Sequence, residues 1–119
     1  MAVIPYTTVL RDGGGSKVVK WEGLAATDTG APFACVGYSD KTIQFLGTFG
    51  GNVLIEGSMD PDKTTAVYAT LNDPQGNALS SISSARVENV LEHVYYIRPS
   101  AGAGVGDVDV WMLLSTVRG

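Results

Sequence analysis

The sequence predicts an all-β protein: an antiparallel β-sandwich or small barrel of about eight short strands, with at most one short helix. Val, Ile and Thr supply 29 of the 119 residues and Gly another 15, a composition that favours strands joined by tight turns. Several stretches alternate apolar and polar residues, as half-buried strands do. Turn residues recur roughly every 8–12 positions, so the loops are too short for the crossovers of parallel sheets.

Composition and charge narrow the class of protein. A chain with 45% hydrophobic and 17% charged residues is expected to form one domain around its own core. The net charge of -4 argues against a surface that reads nucleic-acid phosphates. No stretch approaches the ~20 apolar residues of a membrane helix, and the start lacks a secretory-signal pattern. An intracellular origin is therefore expected. Cys35 is the single cysteine, so an intrachain disulfide is excluded.

The N-terminal segment differs from the rest of the chain. Residues 1–16 are predicted to form an extended arm and a Gly-rich hinge, and residues 17–119 a single β-sandwich domain. Pro5 argues against a central strand, because it cannot donate a ladder hydrogen bond. A hinged apolar arm could attach to a partner surface. The alternative is that it folds back as an edge strand of its own sandwich. The candidate contacts to a partner surface or another subunit are Val3, Ile4, Tyr6, Val9 and Leu10.

Strands, turns and a core are predicted along the rest of the chain. Alternation in residues 41–49 and after Asn52, with Gly50-Gly51-Asn52 between them, predicts a hairpin. Strands are also predicted over 64–71, over 94–98 with Pro99 ending the strand, and over 107–117 after a Gly-rich hairpin loop. Residues 84–92 have helical spacing, which makes one or two helical turns possible there. The predicted inward-facing residues are Ile43, Phe45, Val53, Ile55, Val67, Val108, Val110 and Met112.

No catalytic, cofactor or metal site is predicted. His93 is the only histidine, and Cys35 lies in an apolar stretch without a visible base. Calcium requires six or more oxygen ligands, which neither of two carboxylate pairs provides. Aromatic residues could form a stacking platform for sugar or nucleic acid, although core or interface packing is commoner. The carboxylate pairs are Asp60 with Asp62 and Asp107 with Asp109, and the aromatic candidates are Trp21, Trp111, Tyr95 and Tyr96.

An ordered series of motifs runs from Trp21 to Pro99, about two-thirds of the chain. It comprises Trp21-Glu22-Gly23-Leu24, Asp28-Thr29-Gly30-Ala31-Pro32-Phe33, Ser39-Asp40-Lys41-Thr42-Ile43-Gln44, Gly47-Thr48-Phe49-Gly50-Gly51, Ile55-Glu56-Gly57-Ser58, Asp73-Pro74-Gln75-Gly76-Asn77-Ala78, and Val90-Leu91-Glu92 leading to Tyr96-Ile97-Arg98-Pro99. This order resembles a family of small structural proteins of tailed bacteriophages whose usual role is capsid decoration, or cementing.

The resemblance implies a role without catalysis. It implies a virion protein, made in the host bacterial cytoplasm, that binds the major capsid protein on the outer face of the shell and stabilises it. It also implies a homo-oligomer, with a trimer favoured, and no cofactor, membrane or direct nucleic-acid partner. Two alternatives stay open: a tail or baseplate accessory β-sandwich protein, and a carbohydrate-binding β-sandwich using Trp21, Trp111 or Tyr95.

Overall fold

The alternating stretches pair into two β-sheets that pack face to face, so the predicted all-β sandwich is confirmed. A computed structural model describes residues 2–12 and 15–116, which contain no helix and thus no helical segment able to cross a membrane. The strands of this described part are β1 (Val3–Ile4), β2 (Tyr6–Asp12), β3 (Ser16–Leu24), β4 (Thr29–Gly30), β5 (Phe33–Ala34), β6 (Asp40–Thr48), β7 (Val53–Ser58), β8 (Ala69–Thr70), β9 (Arg86–Asn89), β10 (Tyr96–Ala101) and β11 (Asp107–Ser115).

The two sheets have different strand orders. The six-stranded sheet runs β1-β4-β10-β7-β8, with β5 also paired to β10. The five-stranded sheet runs β2-β3-β11-β6-β9, and all of its pairs are antiparallel. In the six-stranded sheet β1 and β4 pair in parallel, whereas the other pairs are antiparallel. The last predicted strand is β11, and its expected end at Val117 lies outside the described residues.

The core lies between the sheets and forms one apolar cluster. Seven of the eight predicted inward-facing residues are buried: Ile43, Phe45, Val53, Ile55, Val108, Val110 and Met112. The prediction was wrong for Val67, which is 85% exposed. Of the predicted strand only Ala69–Thr70 forms a strand, β8, and Val67 precedes it in a loop.

The hairpin predicted around Gly50-Gly51-Asn52 is not formed. β6 belongs to the five-stranded sheet and β7 to the six-stranded sheet, so this turn crosses the sandwich. The Gly-rich loop between β10 and β11 also crosses, and is therefore not a hairpin loop. The backbones of these two connections between the sheets are in contact, since a Cβ on Gly104 would lie 2.6 Å from the Gly50 carbonyl oxygen. Alternation predicts strands around a turn, but it does not say which sheet each strand joins.

Residues 84–92 contain a strand and not the helical turns that their spacing allows. Residues 86–89 form β9, which pairs with β6 along its whole length. Val87 lies opposite Gln44 in the sheet and is 59% exposed. The helical spacing of the apolar residues in this segment therefore does not correspond to a buried helix face. Cross-strand hydrogen bonding to β6 decides the conformation of this short segment.

Pro99 does not end a strand, as predicted, but lies inside β10. On one side it pairs with Ile55 of β7. On the other side β5 pairs with β10 up to Ile97 and β4 pairs with Ser100, so Pro99 falls in the gap between these partners. A proline is tolerated there because no neighbouring strand requires its missing N–H.

The N-terminal segment has the folded-back geometry that the sequence left open. Ala2 N donates to Asp28 Oδ1 at 2.9 Å, and Ala31 N donates to the Ile4 carbonyl at 2.7 Å. β1 joins the six-stranded sheet and β2 the five-stranded sheet, with Pro5 between them. Of the predicted hinge, Gly13 and Gly14 lie outside the described residues.

Candidate interaction surface

The outer faces of the two sheets are covered to different extents. Residues 59–68 fold over the outer face of the six-stranded sheet, where the Tyr96 hydroxyl donates to the Pro61 carbonyl at 3.2 Å. The Arg98 guanidinium lies 3.8 Å from the Tyr68 ring centre and pairs with Glu56 at 2.9 Å. This loop buries Tyr96 to 8% exposure although its side chain points away from the core. The other sheet carries exposed apolar side chains on its outer face.

The outer face of the five-stranded sheet is apolar over neighbouring strands. In one cross-strand row Leu10, Val18, Leu113 and Thr42 are successive partners, and in the next row Lys20, Trp111, Gln44 and Val87 are. The exposed fractions are 53% for Leu10, 47% for Leu113 and 59% for Val87. We call this surface the exposed face, and it consists of Leu10, Val18, Lys20, Thr42, Gln44, Leu46, Val87, Trp111 and Leu113.

A shallow groove marks the middle of the exposed face. Its volume is about 210 Å³, and it is lined by Val18, Thr42, Gln44, Val87, Trp111 and Leu113. Trp111 is half-buried, with the Lys20 ammonium 5.0 Å from its ring centre. Lys20 also pairs with Glu22 at 3.2 Å, so a charged pair borders the apolar surface. An apolar centre with a charged border is the usual anatomy of a protein-binding surface.

The five predicted contact residues divide into two groups. Val3, Val9 and Leu10 are 64%, 46% and 53% exposed, and Leu10 belongs to the exposed face. Ile4 packs against the protein's own core. Tyr6 makes edge-to-face contacts with Trp21 and Phe33, with ring centres 6.2 and 5.1 Å apart.

Sequence reasoning did not select Val18, Val87 and Leu113 as contacts. The available signal was in the last strand, where Trp111 and Leu113 alternate with the core residues and make the strand apolar on both faces. A strand with apolar residues on both faces is expected when both are covered. Only the sheet order shows that Val18 and Val87 lie on the same surface as these residues.

The candidate nucleophile and base do not form a catalytic pair. Burial raises the pKa of the Cys35 thiol to about 11, and its Sγ donates to the Val94 carbonyl at 3.2 Å. The thiol is therefore protonated near neutral pH and is a weak nucleophile. His93 is exposed, with Nε2 2.7 Å from the Val36 carbonyl oxygen. Within residues 2–12 and 15–116, no three His, Cys, Asp or Glu residues are grouped to hold a metal ion.

Three of the four candidate carboxylates bond to nearby chain atoms. Asp60 Oδ1 accepts from Asp62 N at 2.9 Å, and Asp62 Oδ1 accepts from Thr64 N at 2.9 Å. Asp109 Oδ1 accepts from Gly23 N at 2.9 Å. These bonds order the loop after β7 and the bulged register between β3 and β11. Asp107 is exposed at the start of β11.

Lys41 is a buried cation that sequence reasoning did not identify. It lies on the inward side of β6, is 2% exposed, and has no hydrogen-bond partner for Nζ among the described residues. Burial lowers the pKa of Lys41, and the nearby Cys35, Asp40 and Glu92 oppose that effect. The arrangement is costly for stability, because a buried ammonium is poorly solvated. Lysine's usual surface location gives no sequence signal for this burial.

The aromatic candidates do not form one platform. Trp21 is 1% exposed, and its Nε1 donates to the Ala31 carbonyl at 3.0 Å. Tyr95 and Tyr96 make an edge-to-face pair at 4.9 Å, and Tyr96 lies beneath the loop after β7. Trp111 alone among the four belongs to the groove of the exposed face.

Comparison with known proteins finds similarity in structure. No protein-family model matches the chain, and no curated protein matches its sequence. The SPBc2 prophage-derived protein YomS matches with a TM-score of 0.64 and 10% identity, over 92% of this chain and 100% of that chain. The likeness is one of fold.

Two further matches are more distant. A cupin domain from Bordetella pertussis Tohama I has a TM-score of 0.49 and 9% identity, over 98% of this chain and 96% of that chain. The capsular polysaccharide assembling protein CapF from Staphylococcus aureus has a TM-score of 0.44 and 14% identity, over 96% of this chain and 28% of that chain. Such low scores do not bear on function.

Proposed function

We propose that this chain is a bacteriophage virion protein that decorates the capsid, binding the outer surface of the major capsid protein shell and stabilising it. The observation that carries the proposal is the exposed face, whose apolar side chains lie on the outer side of the five-stranded sheet. Leu113 projects from the central strand β11 and Val87 from the edge strand β9, with about half of each side chain accessible. Large contiguous apolar patches on soluble domains commonly mark interaction sites.

Several further properties support this role over catalysis. The series of motifs from Trp21 to Pro99 resembles decoration proteins of tailed phages. The fold is similar to that of a prophage-derived protein. The net charge of -4 favours a location away from packaged nucleic acid. The proposed protein is a non-enzymatic homo-oligomer, and its location is the outer surface of the virion.

The attachment surface extends along the N-terminal strands. Val3, Val9 and Leu10 are proposed to contact the capsid or another subunit, because their apolar side chains are exposed. Ile4 and Tyr6 contribute by holding the segment against the sandwich. A decoration protein with several such attachments in one oligomer gains avidity, since each further contact becomes intramolecular.

The test is binding to capsids from which this protein has been removed. Leu113→Lys is expected to raise the dissociation constant about tenfold or more, because it places a charge in the apolar centre of the contact. Val67→Lys is the matched control, since it introduces the same charge at an apolar residue that is 85% exposed and away from this surface. Equal binding by the two folded variants would contradict the proposal for the exposed face.

Trp111 supports a second candidate function, carbohydrate binding. Its half-buried ring lines the groove beside Gln44 and Thr42, whose side chains offer hydrogen-bonding groups. A glycan array would show binding that Trp111→Ala abolishes if this function is correct. A tail or baseplate location, the other alternative, would be seen by imaging labelled protein on intact virions.

A further inference from the structure

The edges of the two sheets differ in length and chemistry. In the described part of the chain, the six-stranded sheet ends in β1 and β8, which have two residues each. The five-stranded sheet ends in β9, with four residues, and β2, with seven. The edge of β2 therefore offers the longest row of main-chain groups for pairing with another strand.

The sequence of β2 is also suited to such pairing. Residues 6–10 read Tyr-Thr-Thr-Val-Leu, which contains β-branched and aromatic residues and neither a charge nor a proline. By contrast, β9 carries the ion pair between Arg86 and Glu88 at 3.0 Å. Natural edge strands are commonly protected by charge, proline or a bulge. β2 has charges only at its end, at Arg11 and Asp12, and a bulge between Thr8 and Leu10, which limits regular pairing to a short segment.

We propose that two copies of this chain pair through β2, antiparallel, about a two-fold axis perpendicular to the five-stranded sheets. The pairing is centred on Thr8, which faces Thr8 of the second copy. This register keeps all five uncharged residues inside the contact and leaves Arg11 and Asp12 outside it. Thr–Thr cross-strand pairs are favourable. The proposal concerns association of the isolated protein and does not depend on the proposed function.

Strand directions favour this two-fold contact over a ring built from opposite sheet edges. All four pairs of neighbouring strands in the order β2-β3-β11-β6-β9 are antiparallel. Because the direction reverses four times from β2 to β9, these two edge strands run in the same direction. A head-to-tail contact between these edges would be parallel, which is slightly less stable per residue. It would also involve the charged strand β9. The trimer implied by the family resemblance therefore requires a different surface.

Pairing through β2 would enlarge the surface proposed to bind the capsid. A two-fold axis perpendicular to the sheet keeps both exposed faces on the same side of a continuous sheet of ten strands, five from each copy. Leu10 lies at the shared edge and, with Val18 and Leu113, belongs to one cross-strand row. The apolar surfaces of the copies would then adjoin each other, and both could contact one partner.

Charge complementation at Thr8 tests the contact. Sedimentation of the wild-type protein over a wide concentration range is expected to show a monomer–dimer equilibrium. Thr8→Lys or Thr8→Glu alone should raise the dimer dissociation constant about tenfold, because like charges face each other, and an equal mixture should restore association. Thr70→Lys is the matched control, since Thr70 is an exposed threonine in the edge strand β8.

Disulfide formation tests the register independently of charge. Opposite residues in antiparallel strands have Cα atoms about 4.5–5.5 Å apart, within the disulfide range. Thr8→Cys is therefore expected to form dimers on mild oxidation, whereas Thr70→Cys is not, and the buried Cys35 does not compete.

A wild-type protein that stays monomeric, or a dimer that neither Thr8 charge weakens, would overturn the proposal. Failure of capsid binding with an intact dimer would instead count against the proposed function.

Discussion

The alternation of apolar and polar residues in β6 predicts that Phe45 is buried, and the structure confirms it. It lies on the inward side of β6, is 0% exposed, and pairs across the sheet with Val110. Phe45→Ala is expected to lower the free energy of unfolding by about 3–5 kcal/mol, because it removes a large buried ring and leaves a cavity. Denaturant melts measure the change, with Val67→Ala as the exposed control. A loss below about 1 kcal/mol would show that Phe45 lies outside the core.

Lys41 also lies on the inward side of β6, but its replacement is expected to increase stability. Lys41→Met should raise the free energy of unfolding by about 1–3 kcal/mol, because it removes a buried ammonium that has no hydrogen-bond partner among the described residues and keeps an apolar chain of similar length. Urea melts at neutral pH measure the difference. A loss of stability in this variant would show that the ammonium makes a compensating interaction.

The same residue predicts a pH dependence. The pKa of Lys41 is lower in the folded protein than its usual 10.5, so between these two values the unfolded chain binds more protons. The contribution of Lys41 to the free energy of unfolding therefore rises as pH increases from its folded pKa to 10.5. It is lowest at lower pH, where the amine is charged in both the folded and the unfolded protein. The stability advantage of Lys41→Met should narrow as pH approaches 10.5. Both proteins are compared in a Cys35→Ala background, because the Lys41 charge lowers the pKa of Cys35 and the thiol would otherwise titrate differently in the two proteins.

At the scale of an element, the end of β6 depends on Gly47. Its φ is +129°, which L side chains rarely adopt, and a Cβ there would collide with the Asp107 carbonyl oxygen. Gly47→Ala should therefore cost about 1–3 kcal/mol. Gly37→Ala is the control, since a Cβ at Gly37 would have no neighbour within 4 Å in the part of the chain that the structure describes. Equal thermal melts for the two variants would contradict this account of Gly47.

The two sheet crossings show why local pattern did not predict strand pairing. Alternation correctly placed strands on either side of Gly50-Gly51-Asn52, and this turn chemistry is common in hairpins. The preference of β6 for β11 and of β7 for β10 depends on contacts across the sandwich, far apart in sequence. The glycines are needed because the two crossings pack backbone against backbone.

For the whole molecule, we expect stability without bound metal. The described residues place no three potential ligands together, and Asp60, Asp62 and Asp109 accept local hydrogen bonds. Adding EDTA should therefore leave the melting temperature unchanged in a calorimetric scan. A large decrease would show that a metal binds the folded state, because a ligand that binds only this state stabilises it.

The sequence by itself determined the fold class and most of the core. Alternation in β6, β7 and β11 reflects a local property, the opposite direction of successive side chains, and it correctly buried Phe45, Ile55 and Val110. Tertiary structure alone decided the strand partners, the burial of Lys41 and the exposure of Val67. It also assembled the exposed face, because Val18, Leu113 and Val87 come from three strands distant in the chain. Periodicity carries information about one strand, whereas a surface depends on which strands become neighbours.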